Sequence, residues 1–166
     1  MLVPIYAREN RLHVVLTLRR EDLWRHPGEI SLPGGRCEDG EADPRVTALR
    51  EAEEEIGLSP RAVEIVGALR PTPTITTRYA IYPFVGMIEP PRSWRLSPSE
   101  VTAVIELPLQ ALRDGHAPRR LIRGGRAIET DTYRVGEHLI WGATARILAD
   151  LLGRLSAAAA LPTETV

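Results

Sequence analysis

The stretch from residue 35 to 58, GRCEDGEADPRVTALREAEEEIGL, constrains the fold of this chain more than any other segment. It predicts a helix over residues 44–56: Asp43 is a suitable N-cap, Pro44 fits the first turn, and Gly57 suits the C-terminal end. On a helical wheel, one side collects four apolar residues: Val46, Leu49, Ala52 and Ile56. The opposite side collects three acidic residues within an arc of roughly 100°: Glu51, Glu54 and Glu55.

This placement of the glutamates is unfavourable for an isolated helix. Glu51 and Glu55 form an i, i+4 pair of like charge, which costs roughly a few tenths of a kcal/mol. They also lie near the C-terminal end, where the helix dipole disfavours negative charge. A bound cation would remove this conflict, and carboxylates are hard oxygen ligands of the kind that bind Mg²⁺ or Mn²⁺. Arg50, four residues before Glu54, is placed to orient that carboxylate or to contact a substrate.

A solvated acidic face is the alternative interpretation of a run of glutamates. The segment before the helix argues against it, because residues 24–35 form a loop rich in Pro and Gly that ends in Pro33-Gly34-Gly35. These glycines allow the bare backbone to approach a ligand closely. A glycine pair alone often marks a simple turn, but glycines, acidic residues and a capped helix together favour a ligand site.

Composition places the chain among globular proteins. Its 166 residues fit a single domain, predicted over residues 1–155, with a frayed C-terminal tail over residues 156–166. Hydrophobic residues make up 43% and charged residues 26%, which indicates neither disorder nor a membrane protein. The net charge of −1 argues against a nucleic-acid partner held by bulk electrostatics.

Two residue types narrow the chemistry further. All 21 basic residues are Arg, as GC-rich codons would give, so any cationic contact to a phosphate must come from Arg, which can bind it bidentately. Cys37 is the single cysteine, so an internal disulfide is impossible. The absence of disulfides is what a reducing cytoplasm would favour. With neither a signal peptide nor an apolar run of about 18 residues, we expect a cytoplasmic protein.

The remaining pattern predicts more strands than helices. Strands are predicted at residues 2–6, 12–18, 62–69, 80–88 and 101–107, with short strands or a hairpin over residues 119–133. Asn10 makes a hairpin between the first two strands plausible. Loops are predicted at residues 71–77 and 90–98, and helices at residues 108–113 and 140–155. This order indicates an α/β fold in which helices cover a mixed sheet.

With these motifs in place, the chain resembles the Nudix hydrolase family, whose signature is G-x5-E-x7-R-E-U-x-E-E-x-G-U, where U is aliphatic. Gly35 and Glu41 match its opening, and residues 50–58, REAEEEIGL, match its close. Eight residues instead of seven separate Glu41 from Arg50, so Asp39 or Asp43 could share the usual role of Glu41. Ala52 is small for an aliphatic position. The resemblance implies the Nudix fold, a mixed β-sheet sandwiched between α-helices.

Flanking residues are similar to the coenzyme A diphosphatase branch of that family. The branch pattern, L-T-x-R-x3-L-x2-H-x-G-E-[IV]-[AS]-F-P-G-G, is matched by LTLR at residues 16–19, by Leu23 and by HPGEISLPGG at residues 26–35. The later segment IWGATA at residues 140–145 is also similar. Three departures concern substrate choice more than catalysis: Arg20, Trp24 and Leu32 replace a small residue, an Arg and a Phe.

The resemblance implies Mg²⁺-dependent hydrolysis, with Mn²⁺ as an alternative, of the diphosphate bond of coenzyme A to 3′,5′-ADP and 4′-phosphopantetheine. Glu51 and Glu55 are then the main metal ligands, Glu54 is a third ligand or the base, and the carbonyl of Gly35 is a further ligand. Arg50 assists catalysis. Glu100 resembles a position where some Nudix enzymes keep another ligand or base, although an ordinary loop carboxylate would look the same.

Substrate contacts are expected from the Gly-rich loop and the residues beside it. Arg19 and Arg25 are candidates for binding phosphates, and Gly34 offers bare backbone. Arg25 could equally be a solvated surface residue, and His26 could bind substrate or hydrogen-bond within its loop. Cys37 is expected to be passive, with redox sensitivity as the alternative.

Two other functions fit the same sequence. One is a Nudix hydrolase of ADP-ribose, NADH or another nucleoside diphosphate derivative. The second is a non-catalytic Nudix module that senses a nucleotide metabolite, although such modules usually lose acidic residues that this chain keeps. In each case we expect a small nucleotide metabolite as partner, no nucleic acid and no membrane, with a homodimer as a further option.

Overall fold

The computed structural model describes residues 1–73, 79–123 and 125–160, except for the side chains of residues 123 and 126. Its strands are β1 Leu2–Arg8, β2 Arg11–Arg19, β3 Ile30–Ser31, β4 Val63–Ala68, β5 Thr72–Pro73, β6 Ala80–Ile81, β7 Phe84–Ile88, β8 Val101–Pro108, β9 His116–Arg123, β10 Arg126–Val135 and β11 His138–Ile140. Its α-helices are α1 Pro44–Ile56, α2 Leu109–Asp114 and α3 Gly142–Ala159, and a short 3₁₀ helix covers Pro60–Ala62.

A mixed six-stranded sheet is the centre of the fold. Its order is β3-β2-β1-β7-β4, and β8 pairs with the other edge of β2. The β1–β7 pair is parallel, whereas the pairs of β2 with β1, β3 and β8 are antiparallel. Strands β9, β10 and β11 form a second antiparallel sheet, and β5 pairs with β6.

Two hydrophobic clusters cover opposite faces of the central sheet. In β1, Leu2 and Tyr6 pack with residues of α1, whereas Val3 and Ile5 pack with residues of α3. Alternate residues of a strand point to opposite faces, so β1 contributes to both cores. The expected mixed sheet between helices is therefore confirmed.

Helix α1 has the predicted ends. Asp43 is the N-cap and accepts a hydrogen bond from the Arg45 amide at 2.9 Å, and Pro44 lies in the first turn. Gly57 ends the helix at φ 70°, in the left-handed region that glycine adopts without strain. The helix in turn fixes the direction in which the glutamates point.

Several predicted elements differ from the structure in detail. Strand β3 lies inside the predicted loop of residues 24–35, and β5 lies inside the predicted loop of residues 71–77, of which only residues 71–73 are described. The predicted strand of residues 80–88 is two strands, β6 and β7, separated by Tyr82 and Pro83. A proline lacks the amide that a continuous ladder needs. The predicted hairpin around Gly124-Gly125 corresponds to β9 and β10, although residue 124 lies outside the described residues.

Helix α3 begins two residues later than predicted and continues to Ala159, so Ser156 and the alanines after it are helical where a frayed tail was expected. Alanine has the highest helix propensity, which accounts for the extension. Residues 161–166 of the predicted tail lie outside the described residues. Within the described part of the chain, no helix is long and apolar enough to cross a membrane.

Candidate active site

The rotation of α1 about its axis differs from the predicted one. Val46 was expected on the buried side, but its side chain is 52% exposed, whereas Glu55 is only 3% exposed. The buried stripe is centred on Ala52, from which Glu55 is about 60° away around the helix and Val46 about 120°. The expectation that all three glutamates lie on the side opposite the buried one is therefore wrong for Glu55.

Glu55 lies against the glycine loop. Its Oε2 accepts a hydrogen bond from the amide of Gly34 at 3.3 Å, and its Oε1 lies 3.9 Å from Nη1 of Arg19. Burial raises the pKa of Glu55 to about 8, and the negative charges of Glu100 and Glu51 add to this rise, whereas the Gly34 amide and Arg19 oppose it. The residues around Glu55 thus supply too little positive charge to keep it ionised at neutral pH.

Glu51 packs directly on the backbone of Gly35. A Cβ placed on Gly35 would come within 2.2 Å of Glu51 Oε1 and 2.6 Å of Oε2, so no side chain fits there while the carboxylate keeps its position. Arg50 Nη1 lies 3.1 Å from Glu51 Oε1. Burial nevertheless raises the pKa of Glu51 above its usual value, because it outweighs the attraction of Arg50.

Arg50 is fixed by several acceptors at once. Its Nε donates to Glu41 Oε1 at 2.8 Å, its Nη1 donates to Glu54 Oε2 at 3.2 Å, and its Nη2 donates to the carbonyl of Arg36 at 3.0 Å. The contact to Glu54 is the i, i+4 pair expected from the sequence. Since α1 and the loop before it both contribute acceptors, the guanidinium is held in place beside Glu51.

Glu41 contacts Arg50 in spite of the residue inserted between them. Besides Arg50, it accepts hydrogen bonds from Thr47 Oγ1 at 2.6 Å and from the Glu38 amide at 3.0 Å. Hydrogen bonds from Arg50 and Thr47 hold its pKa down at about 2. Asp43 is engaged as the helix cap and Asp39 is exposed, so the extra residue is absorbed in the loop and Glu41 anchors Arg50. The sequence did not predict the contact of Thr47 with Glu41, because the folded loop brings these two residues together.

Glu54 stands apart from the other two glutamates. Its side chain is 58% exposed and pairs with Arg50. Across the described residues, no three His, Cys, Asp or Glu side chains come together closely enough to hold a metal ion. The structure thus offers a pair of carboxylates, Glu51 and Glu55, against the Gly34-Gly35 backbone, with Glu54 outside that pair.

The other predicted site residues divide into two groups. Arg19 reaches Glu55, and the charge of Glu100 acts on both Glu51 and Glu55, so these two residues flank the pair. The contacts of Arg25 and His26 in the described part of the chain lie within their own loop. Arg25 stacks on the ring of Trp24, 5.1 Å from its centroid, and His26 Nδ1 lies 2.9 Å from Glu29 Oε2. Cys37 is exposed and free.

Comparison with known proteins decides the family. The family model of the NUDIX domain matches residues 1–123. The Escherichia coli K12 protein named uncharacterized Nudix hydrolase NudL is 39% identical over 158 residues, covering 91% of this chain and 79% of the relative. The chain belongs to the Nudix hydrolase family. Nudix hydrolases act on phosphoanhydrides of nucleoside diphosphate derivatives, and this general activity agrees with the acidic site.

Solved Nudix structures share the fold at low sequence identity. The Nudix hydrolase RenU of M. smegmatis superposes with a TM-score of 0.61 at 15% identity, covering 99% of this chain and 87% of RenU. The NUDIX domain of Shewanella oneidensis NrtR, solved with ADP ribose, gives a TM-score of 0.50 at 18% identity, covering 68% of this chain and 73% of that one. These two comparisons support the fold alone.

The carboxylate pair of this Nudix hydrolase fits a divalent cation. Nudix hydrolases generally use divalent metals such as Mg²⁺. Mg²⁺ is commonly held by one or two carboxylates, with water and substrate phosphates completing its shell, so Glu51 and Glu55 are a sufficient donor set. The raised pKa values of Glu51 and Glu55 show that both carboxylates lack compensating charge, which a cation would supply.

Proposed function

We propose that this chain hydrolyses the diphosphate bond of coenzyme A or its derivatives, giving 3′,5′-ADP and 4′-phosphopantetheine. The observation that carries the hydrolytic part is the pair of buried Glu55 and partly buried Glu51 against bare glycine backbone, where burial raises the pKa of both carboxyls. The preference for coenzyme A is supported by the residues similar to that branch of the family at positions 16–35 and 140–145.

Each residue of the site has a place in the proposed reaction. Glu51 and Glu55 hold Mg²⁺ or Mn²⁺, with the carbonyl of Gly35 as a further ligand. When bound, the cation neutralises the phosphate charge and lowers the pKa of a bound water. Arg19 lies beside Glu55, where its guanidinium can bind a phosphate oxygen of the substrate. The Nε of Arg19 is buried and has no hydrogen-bond acceptor in the described structure.

A proton acceptor must lie outside this pair, because the carboxylates of Glu51 and Glu55 are committed to the cation. Glu54 is exposed and held by Arg50, which orients its carboxylate, and Glu100 lies on the loop side of the same site. We propose Glu54 as the general base and Glu100 as the alternative. Either carboxylate would take the proton of the attacking water while Arg50 stays fixed by Glu41.

The substrate is tested by measuring coenzyme A, acyl-coenzyme A, ADP-ribose and NADH side by side with Mg²⁺. We expect coenzyme A or an acyl derivative to give the highest kcat/KM, with 3′,5′-ADP as product. A higher kcat/KM for ADP-ribose or NADH would reject the coenzyme A proposal and leave the Nudix reaction in place. Tight binding of a metabolite with no turnover in Mg²⁺ or Mn²⁺ would instead indicate a sensing module.

The ligand assignment is tested by Glu51→Gln and Glu55→Gln. Each substitution keeps the size of the side chain and removes its ability to carry a negative charge towards a cation, so we expect a folded protein with nearly abolished hydrolysis. Glu53→Gln is the matched control, because Glu53 lies on the same helix and is exposed. Near-normal turnover in either ligand variant would reject the assignment.

A further inference from the structure

A charged cavity lies between α3 and β5 and shares no lining residue with the acidic site. It has a volume of about 570 Å³, and we call it the α3 cavity. Its polar lining consists of Arg70, Thr72, Arg146, Asp150 and Arg154, with Gly153 in its wall. None of these residues belongs to the acidic site described above. The α3 cavity is therefore a separate feature of the molecule.

Positive charge is in excess in the α3 cavity. Three guanidinium groups face a single carboxylate, that of Asp150, so the lining residues carry a net charge of +2. Asp150 already accepts hydrogen bonds from the Arg70 amide at 2.9 Å and from Arg154 Nε at 3.2 Å. Arg70 Nε also lies 4.0 Å from Asp150 Oδ1, so this one carboxylate is shared by two of the three arginines and cannot neutralise all of them. Arginine cannot relieve the remaining repulsion by losing its proton.

Arg146 adds an unsatisfied donor to this excess of charge. Its Nη2 donates to the carbonyl of Pro73 at 2.7 Å, which holds the side chain against β5. Its Nε is shielded from water and has no hydrogen-bond acceptor in the part of the chain that the structure describes. A buried donor without an acceptor is costly, so an acceptor brought in by a ligand would be favoured.

We propose that the α3 cavity binds a phosphomonoester dianion. A doubly charged phosphate matches the net charge of the lining, and its oxygens match the planar donor geometry of arginine. Since all basic residues of this chain are Arg, a phosphate site built from guanidinium groups is the form that its composition allows. A single carboxylate ligand would leave half of the excess charge uncompensated.

The α3 cavity also touches the element that leads to the acidic site. Strand β5, which Arg146 holds, pairs with β6, and Thr72 lies opposite Ile81. Tyr79, just before β6, stacks under the guanidinium of Arg36, which follows Gly35. The phosphomonoester can therefore come from two sources: a phosphate group on the substrate itself, which rests on the proposed function, or a separate phosphorylated metabolite.

Gly153 provides a precise test. A Cβ at this position would meet no heavy atom within 4 Å, so a side chain can begin here without displacing its neighbours, and the test compares Gly153→Ala with Gly153→Glu. The Glu variant places a negative charge in the α3 cavity, whereas the Ala variant does not. Inorganic phosphate is titrated into the metal-free chain of 166 residues at pH 7.5 and followed by ¹H–¹⁵N NMR of the arginine Nε–H groups.

We expect saturable binding in the wild type and in Gly153→Ala, and at least about tenfold weaker binding in Gly153→Glu. Equal affinity in all three proteins, or no saturable binding in the wild type, would overturn the proposal. Because this titration uses neither metal nor substrate, it decides the site even if the protein fails to hydrolyse coenzyme A.

Kinetics then separate the two sources. If the substrate supplies the phosphate, Gly153→Glu raises KM for coenzyme A about tenfold or more. It then leaves KM for 3′-dephospho-coenzyme A unchanged, because this compound lacks the phosphate, and it leaves kcat unchanged for both substrates. If a separate metabolite supplies it, KM for both substrates stays the same while phosphate binding is weakened. Both results agree with a phosphomonoester site and assign its ligand.

Discussion

Replacing Gly35 by alanine should remove activity while leaving the protein folded. The added Cβ would lie 2.2 Å from Glu51 Oε1, and ordinary contact begins near 3.4 Å, so the carboxylate has to move by roughly 1 Å. The clashing atoms are the end of a flexible side chain and not backbone, so the fold can adapt. Alanine also restricts the unfolded chain more than glycine, so we expect a change in the free energy of unfolding below about 1 kcal/mol.

The loss of activity should be much larger than the loss of stability. A misplacement of about 1 Å at a reacting centre can cost on the order of 100-fold in rate, and here the displaced group is a proposed metal ligand. We therefore expect kcat/KM to fall about 100-fold or more with the best substrate. The assay measures initial rates at saturating Mg²⁺, together with thermal unfolding of the same preparation.

Gly67→Ala is the matched control for this experiment. It makes the same chemical change on exposed strand β4, where an added Cβ meets no heavy atom within 4 Å. Its activity should equal that of the wild type. The reasoning would be refuted if Gly35→Ala kept kcat/KM within about twofold of the wild type, because the packing of Glu51 on Gly35 would then be irrelevant to the reaction.

Two further predictions follow from the pKa shifts. The pKa of Glu41 is lowered from 4.5 to about 2 in the fold, so its contribution to stability is complete above pH 4.5 and is lost as pH falls towards 2. Thermal unfolding curves of wild type and Glu41→Gln should therefore differ most near neutral pH and converge as the solution is acidified; a constant gap would contradict this. For Glu55, a pKa of about 8 means that the carboxyl is mostly protonated at pH 7 without a cation, so Mg²⁺ binding should release protons. Calorimetry of Mg²⁺ binding in buffers of different ionisation enthalpy should detect this proton release in the wild type. The release should be smaller or absent in Glu55→Gln. Proton uptake by the wild type would argue against the assignment.

The sequence predicted the fold and the ends of α1 because those features depend on local chemistry. Asp43, Pro44 and Gly57 act within one turn of the chain, and a residue's cap or turn preference is visible in its neighbours. The short strands were missed for the same reason. β3 and β5 have two residues each and owe their extended state to their partners, β2 and β6, which no local pattern reveals.

The rotation of α1 could not be derived from periodicity alone. A helical wheel gives the angles between residues, but the direction that faces the sheet depends on which side chains the sheet accepts. Val46 is more hydrophobic than Ala48, so the predicted apolar side included Val46. In the structure the small residues Ala48 and Ala52 are fully buried against the sheet, and Val46 is exposed. That choice of face is what buries Glu55.

The burial of Glu55 links the fold to the proposed chemistry. A glutamate on the sheet-facing side of a helix, with burial raising its pKa to about 8, contradicts the rule that acidic side chains stay in water, and nothing in local helix structure favours it. Its partners come from separate parts of the chain: Gly34 supplies an amide and Arg19 a distant guanidinium, while Glu51 and Glu100 add repulsion. Such a conflict between local preference and global fold is expected where a site is kept for a ligand. A divalent cation would resolve it, since the desolvation that disfavours the carboxylate when it is alone would also strengthen its attraction to the cation.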